Sequence, residues 1–533
     1  MVISLCIQIA CINSYAQIVD NAKYLPKDYL SAKFHKERRQ ALRDLMPSNS
    51  VTVIFSYPDR VFSEDTKYKY HANPSLYYFS GYKEPDAVLF IFKDLQGTGE
   101  SSYNELFFVQ QRDPAKEIWT GRRLGVEGVK SDLGFKRVYN GSEFENFPID
   151  FKKFNAIFYD VLPDDLQETG DEGNLKDLIS SFKSKALITN IDKGLLSDLL
   201  YIYNYGTPKN ISRLMNYLKP HYNQHDSVNE MIKNLMNQPD SATLAKVKSQ
   251  FFMEYSGIVN FNKYINELRG VKTPEELVLI KKSVDISDMA HAEAMRAINP
   301  KISETELEGI FLYIHKKYGA EDEGYAPIVG AGSNGCILHY EENNVTEVNN
   351  QLVLMDVGAE YHGYSADITR TIPANGKYTE EQKAIYQLVY EAQEEIFKLC
   401  IAGVPFPNLN EKAKEILAAG LIKLGIISDA KEVGKYYPHG CSHHLGLDVH
   451  DKGGSGILKE NMVITVEPGI YIPEGSPCDK KWWNIGVRIE DDVVIGKEKC
   501  ILLSSGSPRK WQEIEKLIEE KSLFDQHVSP VGK

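Results

Sequence analysis

Beyond its first dozen residues the sequence has no run both long and uncharged enough to cross a bilayer, which excludes a polytopic helical membrane protein. It also lacks paired cysteines. The seven that exist, at 6, 11, 336, 400, 441, 478 and 500, are scattered and form no CxxC, so neither a thiolate zinc site nor a disulfide framework is written in the chain. Positive charge is in deficit: 61 Lys and Arg stand against 74 Asp and Glu, a net charge of -13, and the basic footprint of a nucleic-acid binder is missing. No repeat and no low-complexity tract is present. What remains is an ordinary globular mixture, 42% hydrophobic and 25% charged, in a 533-residue chain long enough for about two or three domains.

Residues 2–12 (VISLCIQIACI) are an apolar run of the length of a signal-peptide core, and Ser14-Tyr15-Ala16 offers small residues at both positions a signal peptidase reads. The expectation is a signal peptide over 1–16 and a periplasmic or secreted protein, although no Lys or Arg precedes the run. A cytoplasmic location follows if the run is not a signal. Cys11 after Ala10 raises a lipid-anchored variant, against which Gln8 stands where an aliphatic residue is wanted.

Alternating strand and helix patterns give an α/β N-terminal domain over 17–204: a basic amphipathic helix at 33–46, then strands at Val51–Phe55, Ala87–Phe92 and Glu105–Val109. Residues 205–268, rich in Asn, Lys, Tyr and Gln, read as a helical appendage or linker. The segment 269–510 reads as an α+β domain, and 511–533 as a C-terminal tail. Thr273-Pro274-Glu275-Glu276 is a capping box with proline at the first helical position; Ser303 with Glu306 and Thr379 with Gln382 repeat the device. They predict helices at about 274–298, 304–318 and 380–402, with strands at 351–357, 363–371, 462–467 and 486–495.

Those strands carry misplaced charges. QLVLMDV ends an apolar strand at Asp356, and the chain returns after a glycine-flanked turn through YSADITRT, bringing Asp367 into the same neighbourhood. A lone acid in an apolar strand is usually a hydrogen-bonded structural residue, but two facing one another repel unless a cation lies between them. MVITVE ends likewise at Glu467. In GVRIEDDVVI, Arg488 and Glu490 share a strand face, as an ion pair would. Residues 439–450 hold four of the chain's thirteen histidines, His439, His443, His444 and His450, among glycines, as a rigid loop at a site would. A set of carboxylates with imidazole suits Mn²⁺, with Co²⁺ and Zn²⁺ also compatible, and bridging carboxylates would hold two ions about 3.5–4 Å apart.

The ordered set MDVGAEYHGYSADITRT, HGCSHHLGLDVHD, TVEPGIYI and GVRIEDDVVI resembles the pita-bread metallopeptidases, and within them aminopeptidase P. NPSLYYFSGYKEPDAVL and RDPAKEIWTGRRLG resemble that enzyme's creatinase-like N-terminal domain. The resemblance covers 270–505 closely, while 140–265 departs from the pattern. It implies a pita-bread catalytic domain that removes an N-terminal residue lying before proline, by attack of hydroxide held between two divalent metals. It implies Asp356, Asp367, His443, Glu467 and Glu490 as metal ligands, with Asp367 and Glu490 bridging and Glu467 beside the attacking water. His339 and His450 would act on the substrate, His439 would line the proline side, and Tyr471 and Arg488 would support the ligands and substrate. Trp119 would reach the site of a neighbouring subunit in a homo-oligomer, a dimer or tetramer; the alternative for Trp119 is an ordinary core tryptophan. His444 stands where an aromatic residue is common and receives no role. Two other readings are a prolidase confined to Xaa-Pro dipeptides and a non-catalytic pita-bread binding protein.

Overall fold

A computed structural model describes residues 28–166, 171–188, 191–222, 230–454 and 456–524. The expected signal peptide and the last nine residues of the expected tail lie outside them. Contacts divide the chain into two compact units, Leu30–Leu268 and Arg269 onward, the latter joined by Asp28 and Tyr29. Among the described residues no helix is long and apolar enough to cross a membrane.

The first unit opens with the helix Ala32–Leu45, whose start is fixed by the Ser31 hydroxyl accepting from Phe34 N. It continues into a five-stranded sheet ordered Val138–Asn140, Tyr103–Val109, Val88–Gln96, Ser50–Phe55, Ala156–Tyr159. The three central strands are antiparallel and both edge strands pair in parallel. Ser50–Phe55 is buried along its whole length, which explains its β-branched sequence SVTVIF. Helices run over Leu175–Ala186 and Lys193–Tyr205, then Ile211–Tyr222, Glu230–Asn237 and a long Ser241–Gly270 with a break at Tyr255. Leu196, Leu199, Ile202, Met231, Ile232, Leu244 and Phe251 give these helices an apolar core of their own, so the segment is packed structure rather than a loose linker.

In the second unit the three capped helices form at Pro274–Ala297, Glu304–Lys317 and Glu380–Phe397, with both predicted boxes that pair Thr with Glu or Gln closed in both directions. A fourth helix, Pro407–Lys423, has no side-chain cap and gave no sequence signal of that kind. The strands Leu352–Asp356 and Thr369–Pro373 form the predicted antiparallel pair, with Asp356 opposite Thr369. Gly358 lets the returning chain come close: a Cβ there would sit 1.8 Å from the Ala366 carbonyl oxygen.

The strand predicted at 462–467 forms as Val463–Val466, while 486–495, predicted as one strand, is split into Ile485–Arg488 and Asp491–Val494. Val463–Val466 pairs with Asp491–Val494, whereas Gly469–Ile472 pairs with Ile485–Arg488. The register carries Val466 opposite Asp491 and Gly469 opposite Arg488. Glu467-Pro468 therefore faces Ile489-Glu490 across an interrupted ladder. Proline has no N–H to give, so the interruption is written into TVEPG. Both glutamates sit where the backbone leaves one sheet for the next.

Candidate active site

The interruptions open onto a cavity of about 440 Å³. Its wall includes Tyr325, His339, Asp356, Asp367, His439, His443, His450, Glu467, Arg488 and Glu490. Nine of the eleven sequence-predicted site residues thus share one cavity. Tyr471 stands behind the wall, 3% exposed, and Trp119 belongs to the other unit.

Each acid is placed by backbone ladders and local hydrogen bonds. Asp356 ends its strand, and Asp367 lies just ahead of the partner strand, its N–H donating to Asp492 Oδ2 at 3.0 Å. The Glu490 N–H donates to the Thr369 carbonyl at 3.1 Å, and the Thr369 hydroxyl donates back to Glu490 Oε2 at 2.6 Å. The histidine loop runs beside Val463–Val466: Thr465 N donates to His443 O at 2.9 Å, and Glu467 N to Cys441 O at 2.9 Å. His443 Nδ1 lies 3.0 Å from the His444 carbonyl and donates to it. That leaves His443 Nε2 facing the acids, 3.3 Å from Asp367 and 3.6 Å from Glu467.

Asp367, His443 and Glu490 each bring one donor atom within 4.8 Å of the others, a spacing that fits a single cation. The charges say the same. Burial and the Asp356 charge push Asp367 above the usual carboxylate range. Burial pushes Glu467 up to about 7, and the Asp367 charge adds to it. Glu490 is driven well above the ordinary value by burial, Asp367 and Glu467. His443 goes the other way: burial opposes its charge, but the Asp367 hydrogen bond and Glu467 raise it to about 9. Without a metal, protons supply the positive charge that this cluster needs. The donor set of hard carboxylates with one imidazole fits a divalent ion.

Asp356 is the exception among the acids. Burial works against its charge, but Arg488 outweighs it and holds the carboxyl below the usual range. Arg488 Nη2 donates to Asp356 Oδ2 at 2.6 Å, and Nε donates to the Thr369 hydroxyl at 3.1 Å. Arg488 Nη1 donates to the Tyr471 hydroxyl at 2.9 Å, and that hydroxyl lies 2.8 Å from His439 Nε2. His439 Nδ1 in turn sits 2.6 Å from the Gly440 carbonyl. The chain of donors fixes His439 with its proton on Nδ1 and Nε2 accepting from Tyr471. Tyr471 and Arg488 therefore orient other side chains. His339 and His450 are exposed to the cavity and lie outside the three-donor cluster.

Sequence reasoning missed Tyr325. Its hydroxyl lies 2.5 Å from Asp356 Oδ1 and 2.7 Å from Asp367 Oδ1, bridging the two acids. It also missed Asp491 and Asp492, both fully buried; Asp491 accepts from Arg370 Nη2 at 2.7 Å. Trp119 is 88% exposed at the end of the helix Pro114–Thr120, with Ile118 beside it 81% exposed, so it is not a core residue.

Residues 278–497 match the family model described as metallopeptidase family M24, and residues 35–155 match that of the aminopeptidase P N-terminal domain. The chain is 32% identical over 501 residues to the Xaa-Pro aminopeptidase of Escherichia coli K12, covering 92% of this chain and 98% of that one. It is 28% identical to human Xaa-Pro aminopeptidase 3, covering 89% and 82%. Among solved structures, E. coli aminopeptidase P with the inhibitor Pro-Leu superposes with a TM-score of 0.70 at 31% identity, covering 92% of this chain and 98% of that one. A zinc-substituted form of that enzyme with product gives 0.68 at 30%, with the same coverage. The likeness runs through both units, and the chain belongs to metallopeptidase family M24, as an enzyme of the aminopeptidase P type with a pita-bread domain behind an aminopeptidase P N-terminal domain.

Proposed function

We propose that the chain is an Xaa-Pro aminopeptidase, releasing the first residue of peptides with proline in second place. The observation that carries this reading is the cluster of Asp367, His443 and Glu490 donors in one cavity with Asp356, Glu467 and three further histidines. Asp367 and Glu490 would be shared between two divalent ions, with Asp356 completing one and His443 and Glu467 the other. Mn²⁺ suits a carboxylate-rich set, and Co²⁺ and Zn²⁺ are compatible with it. Bound divalent metal supplies Lewis acidity and brings the ionisation of water near neutral pH.

The chain's own groups do the rest. Glu467, lining the cavity 3.6 Å from His443, would take a proton from water. His339 and His450, which line the cavity, would hydrogen-bond the scissile carbonyl, and His439, fixed by Tyr471, would border the proline ring. Proline in second place makes the scissile bond a tertiary amide with no N–H, so recognition rests on ring shape and on donors to the carbonyl. Exposed Trp119 would help enclose peptide at a neighbouring subunit of a homo-oligomer, and a fully active monomer in solution would remove that part. Export through residues 1–16 belongs to the same proposal, with a mature chain beginning at Gln17.

The test is turnover of Xaa-Pro-Xaa peptides against the matching Xaa-Ala-Xaa peptides. The proline peptide should be cleaved with release of one free amino acid, and alanine in second place should cost most of the rate. Equal turnover would sink the specificity. Cleavage confined to dipeptides would move the enzyme to the prolidase reading, in which the carboxylate directly after proline is required.

Metal loading should release protons. His443 must be neutral to bind metal, yet in the metal-free protein it titrates near 9, and Glu467 near 7. Both are therefore mostly protonated at pH 6.5 and mostly deprotonated above pH 9.5. Affinity is expected to rise with pH between these limits. Calorimetry in buffers of different ionisation enthalpy should find more protons released per metal at pH 6.5 than at 9.5; a pH-independent count would contradict the ligand assignment.

A further inference from the structure

The imidazole of His450 makes no hydrogen bond among the described residues; its ring packs edge-on against His443, with centroids 4.2 Å apart. Its place in the cavity is therefore set by its backbone, and the backbone on either side is gripped by buried ions. Asp451, the next residue, has its side chain 1% exposed. One of its oxygens accepts from Arg269, and Oδ2 accepts from Lys272 Nζ at 2.8 Å. Arg269 Nη2 also holds Asp448 Oδ2 at 2.6 Å, two residues ahead of His450. Lys272 Nζ donates to the Arg269 carbonyl at 2.7 Å, which ties the two cations together. The loop is closed from inside as well: Asp451 N donates to His444 O at 2.8 Å, and Gly446 N to Asp448 O at 3.1 Å. A Cβ at Gly446 would fall 2.1 Å from Asp451 Oδ2, so the loop folds directly over this carboxylate.

We infer that Asp451, clamped by Arg269 and Lys272 and assisted by Asp448, is a positioning residue that aims His450 at the substrate. Two cations and two carboxylates balance, and burying Arg269, Lys272 and Asp451 costs desolvation that nearby apolar side chains would not. Such a cluster earns no stability that an apolar core could not give; what it adds is one loop geometry, because four charges satisfy one another in few arrangements. The His450 loop needs that, since an ångström of drift would carry its N–H away from the carbonyl.

The inference rests on the reading of His450 as a substrate-contacting group, and the experiment separates the two. Asp451→Asn keeps the shape and removes the charge. It is compared with His450→Ala and with the double variant, measuring kcat and KM on an Xaa-Pro-Xaa peptide, bound metal and melting temperature. Asp451→Asn is expected to lower kcat by about tenfold to a hundredfold, the scale of residues that orient ligands, with metal content unchanged. In the His450→Ala background the same change should cost less than about twofold, because the group it aims is gone. An equal loss in both backgrounds, or a loss of metal, overturns the inference while leaving His450 in its role. A fully active His450→Ala removes that role and the inference with it. Where Asp451→Asn does not fold, Asp448→Asn decides by the same non-additivity, since its side chain is 38% exposed and tolerates the change better.

Discussion

Asp367→Asn is expected to leave a folded protein that no longer retains metal and whose activity falls by about a thousandfold or more, the scale of several kcal/mol of lost charge stabilisation. Asp367 is 4% exposed and stands 3.3 Å from His443 Nε2, within the three-donor cluster. The amide keeps its volume and its hydrogen bond with Tyr325 while removing a ligand charge. Glu490→Gln should behave in the same way, because Thr369 can still donate to the amide oxygen. The variants also carry a signature that simple misfolding would not give. In the metal-free protein Asp367 is opposed by the Asp356 charge, so neutralising it relieves repulsion. Metal-free Asp367→Asn should melt no lower than the metal-free parent, and added Mn²⁺ should raise the melting temperature of the parent alone. Stoichiometric metal with near-parental turnover would end the two-metal reading.

The acids of the cavity were readable because each violates its local pattern: Asp356 and Glu467 end apolar strands, and Pro468 announces a break. The paired interruption itself was not readable. Residues 486–495 look like one continuous strand, and only the register shows it changing partner at Ile489-Glu490. Tyr325 gave no signal because its partners lie 31 and 42 residues away and its own segment has no period. Asp491 and Asp492 were hidden by following Glu490, where three acids in a row look like a solvated edge; Arg370 and the Asp367 N–H account for their burial. The helix Pro407–Lys423 lacks the capping box that gave its neighbours away.

His339→Ala and His450→Ala should separate from the ligand variants by keeping metal while losing rate, by about a hundredfold each, the size of one lost transition-state donor. Both side chains open into the cavity and neither belongs to the cluster whose donor atoms converge. For His450 the electrostatics fit a donor role. Burial and the His443 charge push it down to about 4, so it is neutral across the working range and offers an N–H without carrying a charge beside the metals. A cation there would repel the ions that the acids hold; a neutral imidazole does not. The loss should therefore fall on kcat, since a hydrogen bond that strengthens as charge builds on the carbonyl oxygen does little for ground-state binding. His450→Gln, which restores an N–H on a side chain of similar reach, should recover part of the rate. Metal analysis of each purified variant decides the assignment: a variant that loses its metal together with its rate belongs among the ligands, and the division of labour drawn between His443 and His450 would then be wrong.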